Sequence, residues 1–216
     1  MSEHMALENL TVLDLTRVLA GPFCTMMLAD MGANVIKIEV PKGGDDTRTY
    51  PPFRAKNLNG ERESVYFANI NRNKKGITLN LKAPEGKEIF KELVKKADIV
   101  VENYRPGVMD KLGLGYDVLK EINPRIIYAA VSGFGCYGPY HLRPGYDILA
   151  QAMGGMMSIT GSKGGEPTRA GSALGDILGG LHVTIGILAA VNARTITGKG
   201  QRVDVSLMDS MIAATE

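Results

Sequence analysis

One carboxylate stands out for the residues around it. Asp176 lies between Gly175 and the apolar stretch that opens Ile177-Leu178, with the small residues Gly171, Ser172 and Ala173 just before it. Two roles suit that setting. A helix starting here would take Asp as its N-cap, because the side-chain oxygen accepts the amide of the second or third helical residue. The same carboxylate could serve as a nucleophile, since small neighbours leave room for a carbonyl and helix-end amides could hold a developing oxyanion. The two roles compete for the same oxygens, and both stay open at this point.

Other chemistries find less support. Cys24 and Cys136 are too few for a disulfide scaffold, and with His4, His141 and His182 they give no metal-ligand spacing. The turn Arg17-Val-Leu-Ala-Gly-Pro22 has one glycine where a dinucleotide fingerprint needs three, and Pro22 removes a backbone donor. Glu39 stands at a strand end where such folds place a ribose acid, yet a carboxylate at a solvated loop reads as simply. Charge excludes a dedicated nucleic-acid binder: 25 Lys and Arg face 23 Asp and Glu, a net charge of +2 over 216 residues. No apolar run approaches the roughly 18 residues of a membrane span, the longest, Ile185 to Val191, being broken by Gly186. The expectation is a cytoplasmic protein with no membrane and no nucleic-acid partner.

The elements that must position Asp176 read as alternating strands and helices. Strands are expected at Thr11 to Leu15, Val35 to Glu39, Gly76 to Leu81, Asp98 to Val101, Arg125 to Val131 and Val203 to Val205. Helices are expected at Phe23 to Met31, Pro84 to Ala97, Pro106 to Leu112, Tyr116 to Glu121, Ile177 to Ala193 and Ser206 to Thr215. Asp45 to Arg62, with Pro51-Pro52, reads as a long surface loop, and the glycine-rich stretch after Ser132 as turns. The helix from Ile177 is apolar on every side, which predicts burial on every side. This pattern means an α/β fold: an open, parallel, Rossmann-like sheet with helices on both faces and a ligand site at the carboxyl ends of its strands.

Six blocks, in this order, carry a resemblance. They are Thr11-Val-Leu-Asp-Leu-Thr-Arg-Val-Leu-Ala-Gly-Pro22, Gly32-Ala-Asn-Val-Ile-Lys-Ile-Glu39, Asn73-Lys-Lys-Gly-Ile-Thr-Leu-Asn-Leu-Lys82, Val101-Glu-Asn-Tyr-Arg-Pro-Gly107, Gly145-Tyr-Asp147 and Leu174-Gly-Asp176. From about Leu7 to the last residue the chain resembles the class III CoA-transferases, the formyl-CoA and carnitine CoA-transferase family. The resemblance places Asp176 at the family's nucleophilic aspartate. It implies transfer of coenzyme A from an acyl-CoA to a small carboxylic acid through an aspartyl anhydride and an aspartyl-CoA thioester. No metal or redox cofactor is implied, and a homodimer of interlocked subunits is.

By the same resemblance Val18, Leu19 and Ala20 line the first turn, and Leu79, Asn80 and Lys82 close the loop after Gly76-Ile77. Asn103, Tyr104 and Arg105 stand where the family grips the nucleotide, and Lys111 replaces another family basic residue. Taken singly, Lys74, Lys75, Lys82 and Lys111 read equally well as a solvated face. Many family members carry Arg where this chain has Val40, with Lys42 as the substitute two residues on. By the resemblance Tyr146 and Asp147 also count among the CoA-binding residues. Related α-methylacyl-CoA racemases have His at the place of Tyr146; a phenol with a pKa near 10 is a poor base, which favours the transferase over that isomerase. Leu19 stands where the oxalate-using enzymes have Gln, which argues against oxalate.

Family chains are about twice this long. Residues 1–6 read as an appended leader, 7–205 as the large domain that binds CoA and carries the nucleophile, and 206–216 as the start of a helix leading towards a small domain outside this chain. A third reading follows, a non-catalytic CoA-binding piece of a longer protein.

Overall fold

The computed structural model describes residues 4–54, 60 and 62–215. The start of the expected leader (1–3), parts of the expected surface loop (55–59 and 61) and residue 216 lie outside the described residues. In chain order the elements are β1 (Thr11–Asp14), α1 (Ala20–Asp30), β2 (Asn34–Glu39), a single 3₁₀ turn (Asp46–Thr49), β3 (Phe53–Arg54), β4 (Glu63–Ser64), α2 (Val65–Ile70), β5 (Lys75–Thr78) and α3 (Pro84–Val94). There follow β6 (Ile99–Glu102), α4 (Val108–Lys111), α5 (Tyr116–Ile122), β7 (Ile127–Ser132), α6 (Asp147–Met153), α7 (Met156–Ile159), α8 (Leu174–Thr197), β8 (Arg202–Ser206) and α9 (Leu207–Ala213).

Six strands form one sheet in the order β5-β2-β1-β6-β7-β8, every pairing parallel. The two-residue strands β3 and β4 pair antiparallel on their own. Alternation along the central strands divides the apolar side chains between two cores. Val12, Val35, Ile99, Val101 and Val131 meet Leu28, Val183, Ile187 and Met211 on one face, where α1, α8 and α9 pack. Leu13, Val100, Tyr128 and Ala130 meet Phe90, Val94, Met109 and Leu119 on the other, under α3, α4 and α5. Strand order reverses between β1 and β6, so the crevice at their carboxyl ends is where such a sheet offers a ligand site.

Four expectations need correction. The passage Asp45 to Arg62 is no plain loop: Asp45 caps the 3₁₀ turn through Thr47, and β3 lies within it. The helix expected from Ile177 begins at Leu174 with Ala173 as its N-cap, so Asp176 is the third helical residue and not the cap. This helix, α8, is also not buried all round, for Ile185 is 62% and Ile196 81% exposed. It lies against the sheet with one side only, through Gly179, Gly180, Val183, Ile187 and Ala190, and apolar composition cannot supply neighbours for the opposite side. At 24 residues, with an 18-residue window of mean hydropathy 1.8, it is, by length and composition alone, long and apolar enough to cross a membrane, contrary to the sequence reading.

Candidate active site

The first βα turn is built on buried charge. Asp14, at the end of β1, accepts from the Thr16 amide (2.9 Å) and hydroxyl (2.5 Å) and from the Thr25 hydroxyl (2.7 Å), and pairs with the Lys74 Nζ at 3.1 Å. Lys37, from β2, donates to the Thr16 carbonyl (2.8 Å) and to Asp45 Oδ2 (2.9 Å). Asp45 Oδ1 in turn accepts the Val18 amide at 3.2 Å. Burial by itself would raise the Asp14 carboxyl; the ammoniums of Lys74 and Lys37 and the two threonine hydroxyls outweigh it and hold the group below its usual range. Asp45 is held low in the same way, burial being overcome chiefly by Lys37. Lys74 is therefore not a solvated lysine: its side chain is 2% exposed and also bonds the Pro22 carbonyl at 3.0 Å.

Asp176 lies beside this turn. A side chain on Gly180 would meet the Ala20 carbonyl, 2.8 Å from the position of its Cβ, and the Thr184 hydroxyl faces the Cys24 thiol. Both contacts step by four residues on each helix, so α1 and α8 run parallel and in register. The Tyr66 phenol feels the charges of both Asp176 and Asp45, and Asp45 holds the Val18 amide, so Asp176 stands on the side of the turn that Asp45 secures. The Asp176 carboxyl is pushed up to about 6, first by burial and second by the Asp147 carboxylate. It is ionised at neutral pH but poorly solvated, the state of a competent carboxylate nucleophile.

Asp147 is tied in place. It accepts the Gly175 amide at 2.8 Å on Oδ1 and the Gln151 amide at 2.8 Å on Oδ2, and Arg169 Nε stands 4.0 Å from Oδ2. Gln151 also accepts from the Ala170 amide and donates to the Ser172 carbonyl. The stretch leading into α8 is thus stitched to the first turns of α6. Tyr146, the N-cap of α6, is 72% exposed; the backbones of Gly133 and Gly145 press together without room for a side chain on either, which fixes where α6 starts. Tyr66, which the sequence did not single out, also belongs here. Its phenol is pushed up to about 12 by burial and then by the Asp176 charge, so it lies within the field of that carboxylate. Only its place in the third dimension reveals it, since α2 is short and lies beyond the turn-rich passage.

On the other side of the turn a cleft of about 440 Å³ opens at the carboxyl ends of β2, β5 and β6. Its size suits a small-molecule site. Leu79, Asn80, Lys82 and Tyr104 line it as expected, together with Val40, Val108 and Leu112. Asn103 has another task for its side chain, which accepts the Arg17 amide at 2.9 Å and donates to the Arg17 carbonyl at 2.7 Å, so that β6 clamps the first turn. Arg105, Lys111 and Lys42 are exposed and do not line the cleft. Glu39 is spoken for by Arg48 at 2.6 Å. Of the thirteen expected ligand residues, Val18, Leu19 and Ala20 lie in the first turn and Asn103 clamps it, Leu79, Asn80, Lys82 and Tyr104 line the cleft, Asp147 acts on Asp176 with Tyr146 beside it in sequence, and Lys42, Arg105 and Lys111 stand apart. No group of three or more His, Cys, Asp or Glu suited to a metal ion occurs among the described residues.

Known proteins match this arrangement. The family model for CoA-transferase family III matches residues 7–216. Acetyl-CoA:oxalate CoA-transferase of Acetobacter aceti is 50% identical over 207 residues, covering 95% of this chain and 52% of that protein. Succinyl-CoA:mesaconate CoA-transferase of Haloarcula marismortui is 48% identical over 217 residues, covering 98% of this chain and 54% of that one. Human succinyl-CoA:glutarate CoA-transferase is 47% identical over 214 residues, covering 99% and 48%. Among solved structures, a CAIB/BAIF family protein from Brucella suis superposes with a TM-score of 0.93 at 46% identity, over 98% of this chain and 55% of that one. The chain spans about half the length of the curated relatives it matches. With the family model matched from residue 7 to 216 and relatives near half identical, the chain belongs to CoA-transferase family III.

Proposed function

We propose that this chain carries the nucleophile and the nucleotide cleft of an enzyme that transfers coenzyme A from an acyl-CoA to a carboxylic acid. The observation that carries the reading is Asp176, a partly buried carboxylate in the first turn of α8, pushed up to about 6 beside a turn held by buried ion pairs. A thioester carbonyl is electrophilic enough for a carboxylate to attack directly, so no partner base is required. Attack by Asp176 forms a mixed anhydride with the acyl group and expels the CoA thiolate. The thiolate then attacks the aspartyl carbonyl, which frees the first acid and leaves an aspartyl-CoA thioester. The acceptor carboxylate attacks that thioester, regenerating an anhydride and the thiolate. Attack of the thiolate on the acceptor's acyl carbon gives the new acyl-CoA and restores the Asp176 carboxylate.

The cleft supports the CoA half of this reading. Leu79, Leu112, Val40 and the Tyr104 ring offer apolar walls for adenine, and Lys82 brings a cation to its rim. Val40 removes one cation that many relatives have, and exposed Arg105 and Lys111 are near enough in sequence to the rim to meet a phosphate from solvent. Among acids, the printed names of relatives include oxalate, mesaconate and glutarate. Leu19 at the first turn favours an acceptor with an apolar stretch between its carboxyls over oxalate. Tyr146 in place of a histidine favours transfer over isomerisation at the α-carbon.

The test is Asp176→Ala, assayed for exchange of CoA between succinyl-CoA and glutarate, with CoA binding followed by titration. Exchange should fall at least about a thousandfold, as expected for loss of a covalent nucleophile, while CoA affinity stays within about threefold. Exchange retained in the variant would reject the assignment.

A further inference from the structure

We propose that the buried Lys37–Asp45 pair is a positioning device for this site: it holds Val18 in the left-handed conformation and so sets the Val18–Leu19–Ala20 turn beside Asp176. This rests on the transferase reading of Asp176. Val18 has φ +67°, a region that β-branched residues avoid, and such a residue persists only where its surroundings over-determine it. Here they do. Asp45 Oδ1 accepts the Val18 amide, Lys37 Nζ donates to the Thr16 carbonyl, and the two are joined at 2.9 Å with side chains 1% and 3% exposed. Asn103 clamps both backbone groups of the intervening Arg17. Every backbone polar group from the Thr16 amide to the Val18 amide is therefore held by a side chain from β1, β2, β6 or the stretch after β2.

A buried ion pair adds little net stability over an apolar pair of like volume. This pair gives something an apolar pair cannot: an acceptor for one turn amide and a donor for one turn carbonyl, both fixed to the sheet. Neither Lys37 nor Asp45 lines the ligand cleft; within the first turn Lys37 bonds the Thr16 carbonyl and Asp45 the Val18 amide.

Two double variants test this. K37M/D45A removes both charges and the acceptor; K37M/D45N removes both charges and keeps an acceptor for the Val18 amide. The readouts are the single-turnover rate of CoA attachment to the wild-type and variant chains from succinyl-CoA, thermal midpoint, and hydrogen exchange of the Val18 amide. We expect K37M/D45A, which loses both the donor to Thr16 and the acceptor for Val18, to be slowed about 10- to 100-fold, the scale of a misplaced reacting group, and K37M/D45N, which loses only the donor, to be slowed clearly less at a similar midpoint. Wild-type rates in both variants, or equal losses in both that track the midpoint, would overturn the proposal. If K37M/D45A does not fold, Asp45→Glu, which keeps both charges and moves the acceptor by one methylene, is read the same way. A wild-type chain that takes up no CoA would instead contradict the transferase reading. The positioning claim is then decided by Val18 exchange, lost protection in K37M/D45A but not in K37M/D45N supporting it and equal protection overturning it.

Discussion

The two walls that meet at Asp176 are made differently. On one side, the turn after β1 is held by charges buried to a few per cent, Asp14, Lys37, Asp45 and Lys74, drawn from separate strands and loops. On the other, the stretch from Tyr137 to Arg169 is open, with Tyr137 80%, Leu142 70% and Tyr146 72% exposed, and its fixed points are few: the Gly133–Gly145 contact, Gln151 and Asp147. The first wall is preorganised before any ligand arrives; the second is tethered only where it feeds into α8. A nucleophile at the seam keeps its register with the rigid wall and takes its electrostatics from the tethered one, since Asp147 is what adds to burial in raising Asp176.

The contrast can be broken at the rigid wall first. Gly180→Val places a branched side chain against the Ala20 carbonyl and Phe23, prying α1 from α8. Stability should fall by about 1 to 3 kcal/mol, the usual cost of overpacking, and the rate of CoA attachment should fall with it; a denaturant melt and a single-turnover assay check both. A change at the tethered wall should act chiefly through electrostatics. Asp147→Asn keeps an oxygen for the Gly175 amide but removes the like charge beside Asp176. In the proposed mechanism the ionised carboxylate attacks, so the wild-type rate should climb through a pKa near 6 and level off above it. In the variant that limb should move to lower pH, and an unmoved limb would show that Asp147 does not set it.

The smallest effect is expected away from both walls. Glu102, at the end of β6, is pushed up to about 7 by burial, against the relief given by the Tyr104 amide and the Tyr128 hydroxyl. The folded state prefers its protonated form, so stability is highest below the unfolded value near 4.3 and declines as pH rises towards 7. Glu102→Gln removes that titration. Thermal melts should show the variant more stable than wild type above pH 7 and equal to it near pH 4.

The sheet was legible because parallel strands and their crossover helices each carry a strong periodic signal: Val35–Glu39 and Pro84–Val94 fall within three residues of expectation. Helix α6 was hidden because the Gly- and Pro-rich passage around it reads as turns, while its start is decided by a backbone contact between Gly133 and Gly145, twelve residues apart. The start of α8 was misplaced because Gly175 looks like a breaker; its amide is instead engaged by Asp147, a partner 28 residues away. Asp176 and the residues of the cleft were found through ordered blocks. The buried network was not, because nothing about Asp14, Lys37, Asp45 or Lys74 in sequence tells a paired interior charge from a solvated one. That distinction depends on β1, β2 and the Asn71–Lys74 turn arriving at one point.

The most direct measurement is mass spectrometry of the protein quenched after brief exposure to succinyl-CoA or acetyl-CoA, the donors named for its relatives. The account predicts CoA carried on the peptide that contains Asp176, through a bond cleaved by hydroxylamine, and no such adduct in Asp176→Ala. CoA exchange without an adduct at Asp176, or an adduct on another residue, would contradict it.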